Sequence, residues 1–355
     1  MVLHMTVIKN QIMNNTQSDF ISGIGNTPLI KLRAASEITG CNIYGKAEFL
    51  NPGQSIKDRA ALFMINDAIN NKKLNKGGVI VEGSAGNTGI GLTLIGNSLG
   101  YKTVIVIPNT QSQEKKDFLL HAGAHLIEVP AVPYKNENNY IKYAKKLSLK
   151  LNKSHKQGAY WINQFDNILN RESHEKTTGP EIYNQTDGKL DAFVCSVGSG
   201  GTIAGVANFL KEKNNDIKIA IADPFGSSLH SYYKYGVLKA EGNSITEGIG
   251  QARITKNLKD LKVDFSFRIN DSEAISMIYD LLYDEGILVG TSAGINVCGA
   301  LHLAKEIGPG KTIVTVLCDH GMRYKEKIFN KEFLLENKIL VNKNNENELD
   351  IPNLL

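Results

Sequence analysis

The run Thr312-Ile313-Val314-Thr315-Val316-Leu317 is apolar or β-branched at every position. A strand with one wet face alternates, so a strand that does not alternate must be covered on both faces, as in parallel sheets flanked by helices. Five more short runs share this character: Val79 to Glu82, Thr103 to Pro108, Leu126 to Pro130, Ala192 to Ser196 and Ile217 to Asp223. Helical patterns lie between them. Ala61, Met64, Ile65 and Ala68, for example, recur at i, i+3, i+4 and i+7. Such alternation predicts an α/β fold with doubly wound, mostly parallel sheets. The polar interval Lys153 to Gly158 and the segment Asn163 to Asn167 divide the runs into two groups, which predicts two lobes with a cleft between them. Residues 1–20 and 335–355, rich in Asn, Lys and Gln and without periodicity, are expected as extensions outside the core.

Several function classes are disfavoured. A net charge of +4 on 355 residues, with no basic stripe, gives nucleic-acid binding no support. Cys41, Cys195, Cys298 and Cys318 are widely spaced and have no histidine at ligand spacing, so neither a metal site nor a disulfide frame is expected. Buried, reduced thiols in a cytoplasmic protein are expected instead. There is no apolar run of membrane-spanning length, and the N-terminal stretch has no signal-peptide pattern.

Two glycine clusters each follow a strand and open a helix. Glu82-Gly83-Ser84-Ala85-Gly86-Asn87-Thr88-Gly89 offers backbone N–H groups and two hydroxyls for a carboxylate or phosphate, although a plain strand-to-helix turn would read the same way. Gly198-Ser199-Gly200-Gly201-Thr202 reads more strongly as a phosphate cradle, because its glycines allow close backbone approach at the start of a helix. It is not a dinucleotide fingerprint, since Ile203 stands where the last glycine of G-x-G-x-x-G belongs. Gly310-Lys311-Thr312 is not a P-loop either: Lys305 replaces the first glycine and a strand follows. Glu247-Gly248-Ile249-Gly250 and Gly290-Thr291-Ser292-Ala293-Gly294 are further small-residue turns. Taken alone, Ser292 reads as an ordinary N-cap, and Gln164 and His174 read as polar residues at the lobe junction.

The stretch Asn51-Pro52-Gly53-Gln54-Ser55-Ile56-Lys57-Asp58-Arg59-Ala60 places one lysine at a helix start, with Ser55 as the expected N-cap and Asp58 completing a capping box. A lone lysine is ordinarily solvated. A cation in the first turn, however, opposes the helix dipole, which favours the neutral amine that Schiff-base chemistry needs.

In this order, the segments resemble the cysteine synthase and cystathionine β-synthase family, pyridoxal-phosphate enzymes of the tryptophan-synthase-β fold (fold type II). The resemblance runs from Gly25-Asn26-Thr27-Pro28-Leu29 through Asn51 to Ala60, Gly86-Asn87-Thr88-Gly89, His174 to Ile182, Gly198 to Thr202 and Gly248-Ile249-Gly250 to Asp319-His320-Gly321-Met322-Arg323-Tyr324. It implies a large cofactor-binding lobe of residues 21–61 and 167–334 and a small mobile lobe of residues 62–166 that closes over substrate. Lys57 would form the internal aldimine and act as acid-base. Gly198, Ser199, Gly200, Gly201 and Thr202 would hold the phosphate, Asn87 would meet the pyridine hydroxyl, and Ser292 the ring nitrogen. A serine there does not keep that nitrogen protonated, which suits elimination at the β-carbon over transamination. Substrate would lie on Ser84, Ala85, Gly86, Thr88, Gln164, Glu247 and Gly248. The implied reaction is β-replacement through an aminoacrylate, of the cysteine synthase type: O-acetylserine and sulfide to cysteine and acetate. Ala85 stands where the family usually carries a second serine, and Glu247 precedes Gly-Ile-Gly as in the cystathionine synthase and L-cysteine desulfhydrase branches, the latter also resembled around Asn163 to Asn167. Cysteine desulfhydrase activity or thiol addition is therefore the alternative the resemblance implies. A homodimer, and a serine acetyltransferase tail as partner, are implied by resemblance as well. The other expectation open to such a chain is a catalytically silent, partner-binding homologue.

Overall fold

The structure, a computed structural model, describes residues 17–341. Most of both expected extensions falls outside that range. Six strands form one sheet: β1 (Leu29–Lys31), β2 (Asn42–Ala47), β7 (Ala192–Cys195), β8 (Lys218–Pro224), β9 (Phe265–Ile269) and β10 (Thr312–Leu317), in the order β1-β2-β10-β7-β8-β9. The second sheet holds β3 (Val79–Gly83), β4 (Lys102–Pro108), β5 (His125–Val129) and β6 (Ala159–Trp161), in the order β5-β4-β3-β6. Every pairing is parallel except the antiparallel β1 with β2.

The run that does not alternate lies at the centre of the larger sheet. β10 pairs with β2 through Val314↔Tyr44 and with β7 through Val314↔Phe193. Its side chains divide between two cores. Ile313 and Leu317 enter the cluster that includes Val194, Ala293, Val297 and Leu303, whereas Val314 and Val316 enter the one with Phe193, Ile203, Val206 and Leu210. The helices Thr291–Ile307 and Gly201–Lys213 thus cover opposite faces.

All six expected strands form. The other four are either short (β1 and β6, three residues each) or masked by composition. β2 carries Gly45, where a Cβ would fall 2.7 Å from Leu317 Cδ1, and a fully buried Lys46. The packed chain also continues past residue 334, the boundary expected for the C-terminal extension: Ile339 is buried and Val341 packs in the same cluster, with Ile275, Ile278 and Tyr324.

Candidate active site

A cavity of about 230 Å³ lies between the two sheets. It is lined by the site residues expected above, except Gly86 and Gly201, which sit just behind it. Gly86 takes φ +122° at the start of the Asn87–Leu99 helix, with the Lys115 stem 2.6 Å from where a Cβ would be.

Lys57 is the first residue of the helix Lys57–Asn70 and faces the cavity. The expected capping box is absent. Ile56 is already helical and takes the N-cap position, so Ser55 Oγ accepts the Lys57 N–H at 3.3 Å. Asp58 turns back over the preceding turn and accepts the Gly53 N–H at 2.6 Å. A Cβ on Gly53 would lie 2.5 Å from Asp58 Oδ1, so the glycine is what permits this clasp. In the same first turn, Arg59 bridges Glu48 (2.7 Å) and Glu181 (2.6 Å), and Glu181 also holds the buried Lys46 at 2.6 Å. Two cations and two carboxylates, mutually paired, anchor the helix that presents Lys57.

At the other end lies the Gly198 to Thr202 turn, expected as a phosphate cradle, and backbone proximity fixes two of its glycines. A Cβ on Gly198 would meet Gly248 O at 2.3 Å, and one on Gly201 would meet Asn170 Oδ1 at 2.0 Å. Polar residues that carry no local signal tie the cradle down. Asn170 donates to Ser199 Oγ at 2.7 Å, Thr255 donates to Ser199 O at 2.7 Å, and Asn257 holds the Gln164 and Phe165 carbonyls. His174 lies within 3.3 Å of Thr202 Oγ1 and 2.9 Å of Thr178 Oγ1, on a π-helical turn, His174–Thr178. Burial, reinforced by the charges of Arg59 and Lys57, holds its imidazole well below the ordinary 6.5, so the ring is neutral.

The Ser84–Gly89 turn is organised by Ser84 Oγ, which accepts the Gly86 and Gly89 N–H groups at 3.1 Å each and keeps its own proton to donate. Thr88 donates to Gln164 Oε1 at 2.6 Å, and Gln164 donates to Gly83 O at 3.0 Å. Ser292 lies inside the first turn of its helix, whose N-cap is Gly290, and lines the cavity beside Cys318. Burial pushes the Cys318 thiol up to about 11 against the pull of Lys57, which leaves it a poor nucleophile.

Glu247, expected as a substrate contact, also has protein partners. Its carboxylate lines the cavity, but it pairs with Lys115 at 2.7 Å and with Lys327, and accepts the Ser112 N–H at 3.1 Å. Burial raises this carboxyl; Lys115 and Lys327 outweigh that and hold it below the ordinary 4.5. Both oxygens are occupied in a bridge between the Gln113–His121 helix and the large-sheet side.

A family model described as pyridoxal-phosphate dependent enzyme matches residues 21–319. The chain is 50% identical over 323 residues to cysteine synthase 1 of Neurospora crassa, covering 89% of this chain and 84% of that protein. It is 40% identical over 323 residues to a putative mitochondrial cysteine synthase of Saccharomyces cerevisiae, covering 86% and 82%. Among solved structures, a hydrogen sulfide-producing enzyme from Fusobacterium nucleatum superposes with a TM-score of 0.79 at 34% identity, covering 87% of this chain and 100% of that one.

Proposed function

The chain belongs to the family of pyridoxal-phosphate dependent enzymes, and from that premise we propose that it catalyses β-replacement in cysteine biosynthesis, joining sulfide to the β-carbon of O-acetylserine. The observation that carries this reading is the convergence of Lys57, the Gly198–Thr202 cradle and the Ser84–Thr88 turn on one cavity of about 230 Å³.

The residues present fit the cofactor. The cradle opens at the N-terminus of a thirteen-residue helix, where unpaired N–H groups and the dipole favour an anion. Ser196, which also lines the cavity, has a buried Oγ with no protein partner. Bound there, pyridoxal phosphate supplies an aldehyde for an amine and a ring that spreads charge developing at the substrate's α-carbon. The chain does the rest. Lys57, whose side chain lines the cavity, would hold the cofactor through Nζ and would serve as the acid-base for the α-proton. The Ser84 hydroxyl and the first N–H groups of the Asn87–Leu99 helix bind the substrate carboxylate, oriented by Gln164 through Thr88. Ser292, which lines the cavity, would serve the ring nitrogen as a neutral partner. A cavity of this size, shared with the cofactor, suits a nucleophile as small as sulfide.

Residues 62–166 act in this reading as the lobe that closes over substrate and excludes water, against a large lobe of residues 21–61 and 167–334. We further assign a homodimer able to bind a serine acetyltransferase tail. Among the described residues no helix is long and apolar enough to cross a membrane. The four free thiols suit a reducing compartment such as the cytoplasm.

Product identification with O-acetylserine plus sulfide, against L-cysteine alone, tests the reading. Faster release of sulfide and pyruvate from cysteine alone would replace it with the elimination reaction, which the missing hydroxyl at Ala85 and the likeness to a hydrogen sulfide-producing enzyme favour as second reading.

A further inference from the structure

Asn87 is a cavity residue whose side-chain orientation is held by a distant part of the chain. Its Oδ1 accepts from Arg323 Nη1 at 2.6 Å, and its Nδ2 donates to Asp319 Oδ2 at 2.6 Å. Asp319 is fully buried and Arg323 nearly so. Each is fixed in turn: Tyr324 donates to the same Asp319 oxygen at 2.5 Å, and the second arm of Arg323 donates to Gly53 O. The backbone of the same segment bridges Ser55 to Asp319 and holds Gly290 N–H at 3.0 Å. One short stretch thus touches the turn before Lys57, the turn before Ser292, and Asn87.

An amide can be rotated by half a turn with little steric change, but here the two orientations are far from equivalent. Rotation would set Oδ1 against the Asp319 carboxylate and Nδ2 against the Arg323 guanidinium, two buried repulsive contacts in place of two charge-assisted hydrogen bonds. With one amide hydrogen held by Asp319, the second is the polar group left to point into the cavity.

We propose that Asp319 and Arg323 are positioning residues that lock Asn87 to present an N–H, never a carbonyl, to the ring oxygen of the cofactor. This rests on the pyridoxal-phosphate reading of the cavity. A fixed donor at that oxygen favours its ionised form, so the clamp sets the protonation state of the bound cofactor.

The test is spectrophotometric pH titration of the holoenzyme. In Asp319→Asn and in Arg323→Met the pH midpoint between the protonated and ionised forms of the ring oxygen should rise by about one unit, a tenfold change in proton affinity. Arg323→Lys, which keeps a cation against Asn87 Oδ1, should stay near wild type. In an Asn87→Ala background, Asp319→Asn should add nothing, because the clamp acts only through Asn87. On the unmodified protein, the Asn87 side-chain amide should give two sharp, slowly exchanging 15N–1H signals. An unshifted midpoint in a variant that binds cofactor, an additive double variant, or a rapidly rotating Asn87 amide each overturns the proposal. Failure of the wild type to bind pyridoxal phosphate at all would overturn the functional reading itself.

Discussion

Replacing Glu247 by alanine would separate a structural bridge from a substrate contact. The carboxylate is 6% exposed and pairs with Lys115, itself 1% exposed, at 2.7 Å. Truncation leaves the Lys115 ammonium buried beside the Tyr324 ring, 4.0 Å from its centroid, with its closest anion gone. Removing one partner of a buried pair costs about 3–5 kcal/mol. The strain falls on the Gln113–His121 helix, which Glu247 ties to the loop before Gly248 and, through Lys327, to the segment after Tyr324. Hydrogen exchange of that helix should accelerate, and KM for the amino-acid substrate should rise while the affinity for the cofactor holds. Glu247→Ala with Lys115→Met should recover part of the protection, since the fully buried ammonium is removed and only the part-exposed Lys327 is left without its anion. The bridge also has a pH signature. Because its folded carboxyl lies below the ordinary 4.5, its contribution is present above that value and is lost as pH falls through the folded value. Unchanged exchange in Glu247→Ala, or no recovery in the double variant, would refute the bridge and return Glu247 to the substrate.

Three further outcomes follow from the same geometry. Gly201→Ala places a Cβ 2.0 Å from Asn170 Oδ1 and displaces the residue that holds Ser199, so overpacking of about 1–3 kcal/mol should weaken cofactor binding roughly 5- to 150-fold by equilibrium dialysis. Burial raises the Glu82 carboxyl to about 8 even though the Asn163 and Gln164 N–H groups pull it down; the folded state therefore holds a proton that the unfolded state releases, and stability falls as pH climbs from about 4.5 to about 8. Glu82→Gln should remove that slope in urea denaturation, and parallel pH curves for variant and wild type would contradict the reasoning. Ala85→Ser restores a hydroxyl at the mouth of the substrate turn and should raise the ratio of cysteine formation to cysteine breakdown, measured with O-acetylserine plus sulfide against cysteine alone.

What the sequence made legible is what local physics determines. β10 is apolar at successive positions because Ile313 and Val314 enter different cores, and that demand is written into adjacent residues. The cradle is legible for a similar reason, since a backbone that approaches Gly248 O or Asn170 within 3 Å of a missing Cβ leaves glycine as its trace. Polar residues whose partners lie far along the chain leave no such trace. Arg59 with Glu181 spans 122 residues, Asn87 with Asp319 spans 232, and Ser112 with Glu247 spans 135. At each of these positions the residue type admits many partners, and only the fold selects one. Ser55 and Asp58 mislead in the opposite direction. Their spacing satisfies a capping box, but Ile56 enters the helical region one residue early and Gly53 offers an N–H that Asp58 reaches first. The local pattern was a permissible solution that a nearby glycine out-competed. The same competition accounts for Glu247: beside Gly-Ile-Gly it looks aimed at a ligand, and the two lysines that occupy it come from Lys115 and Lys327, on either side of it in sequence and invisible to any motif.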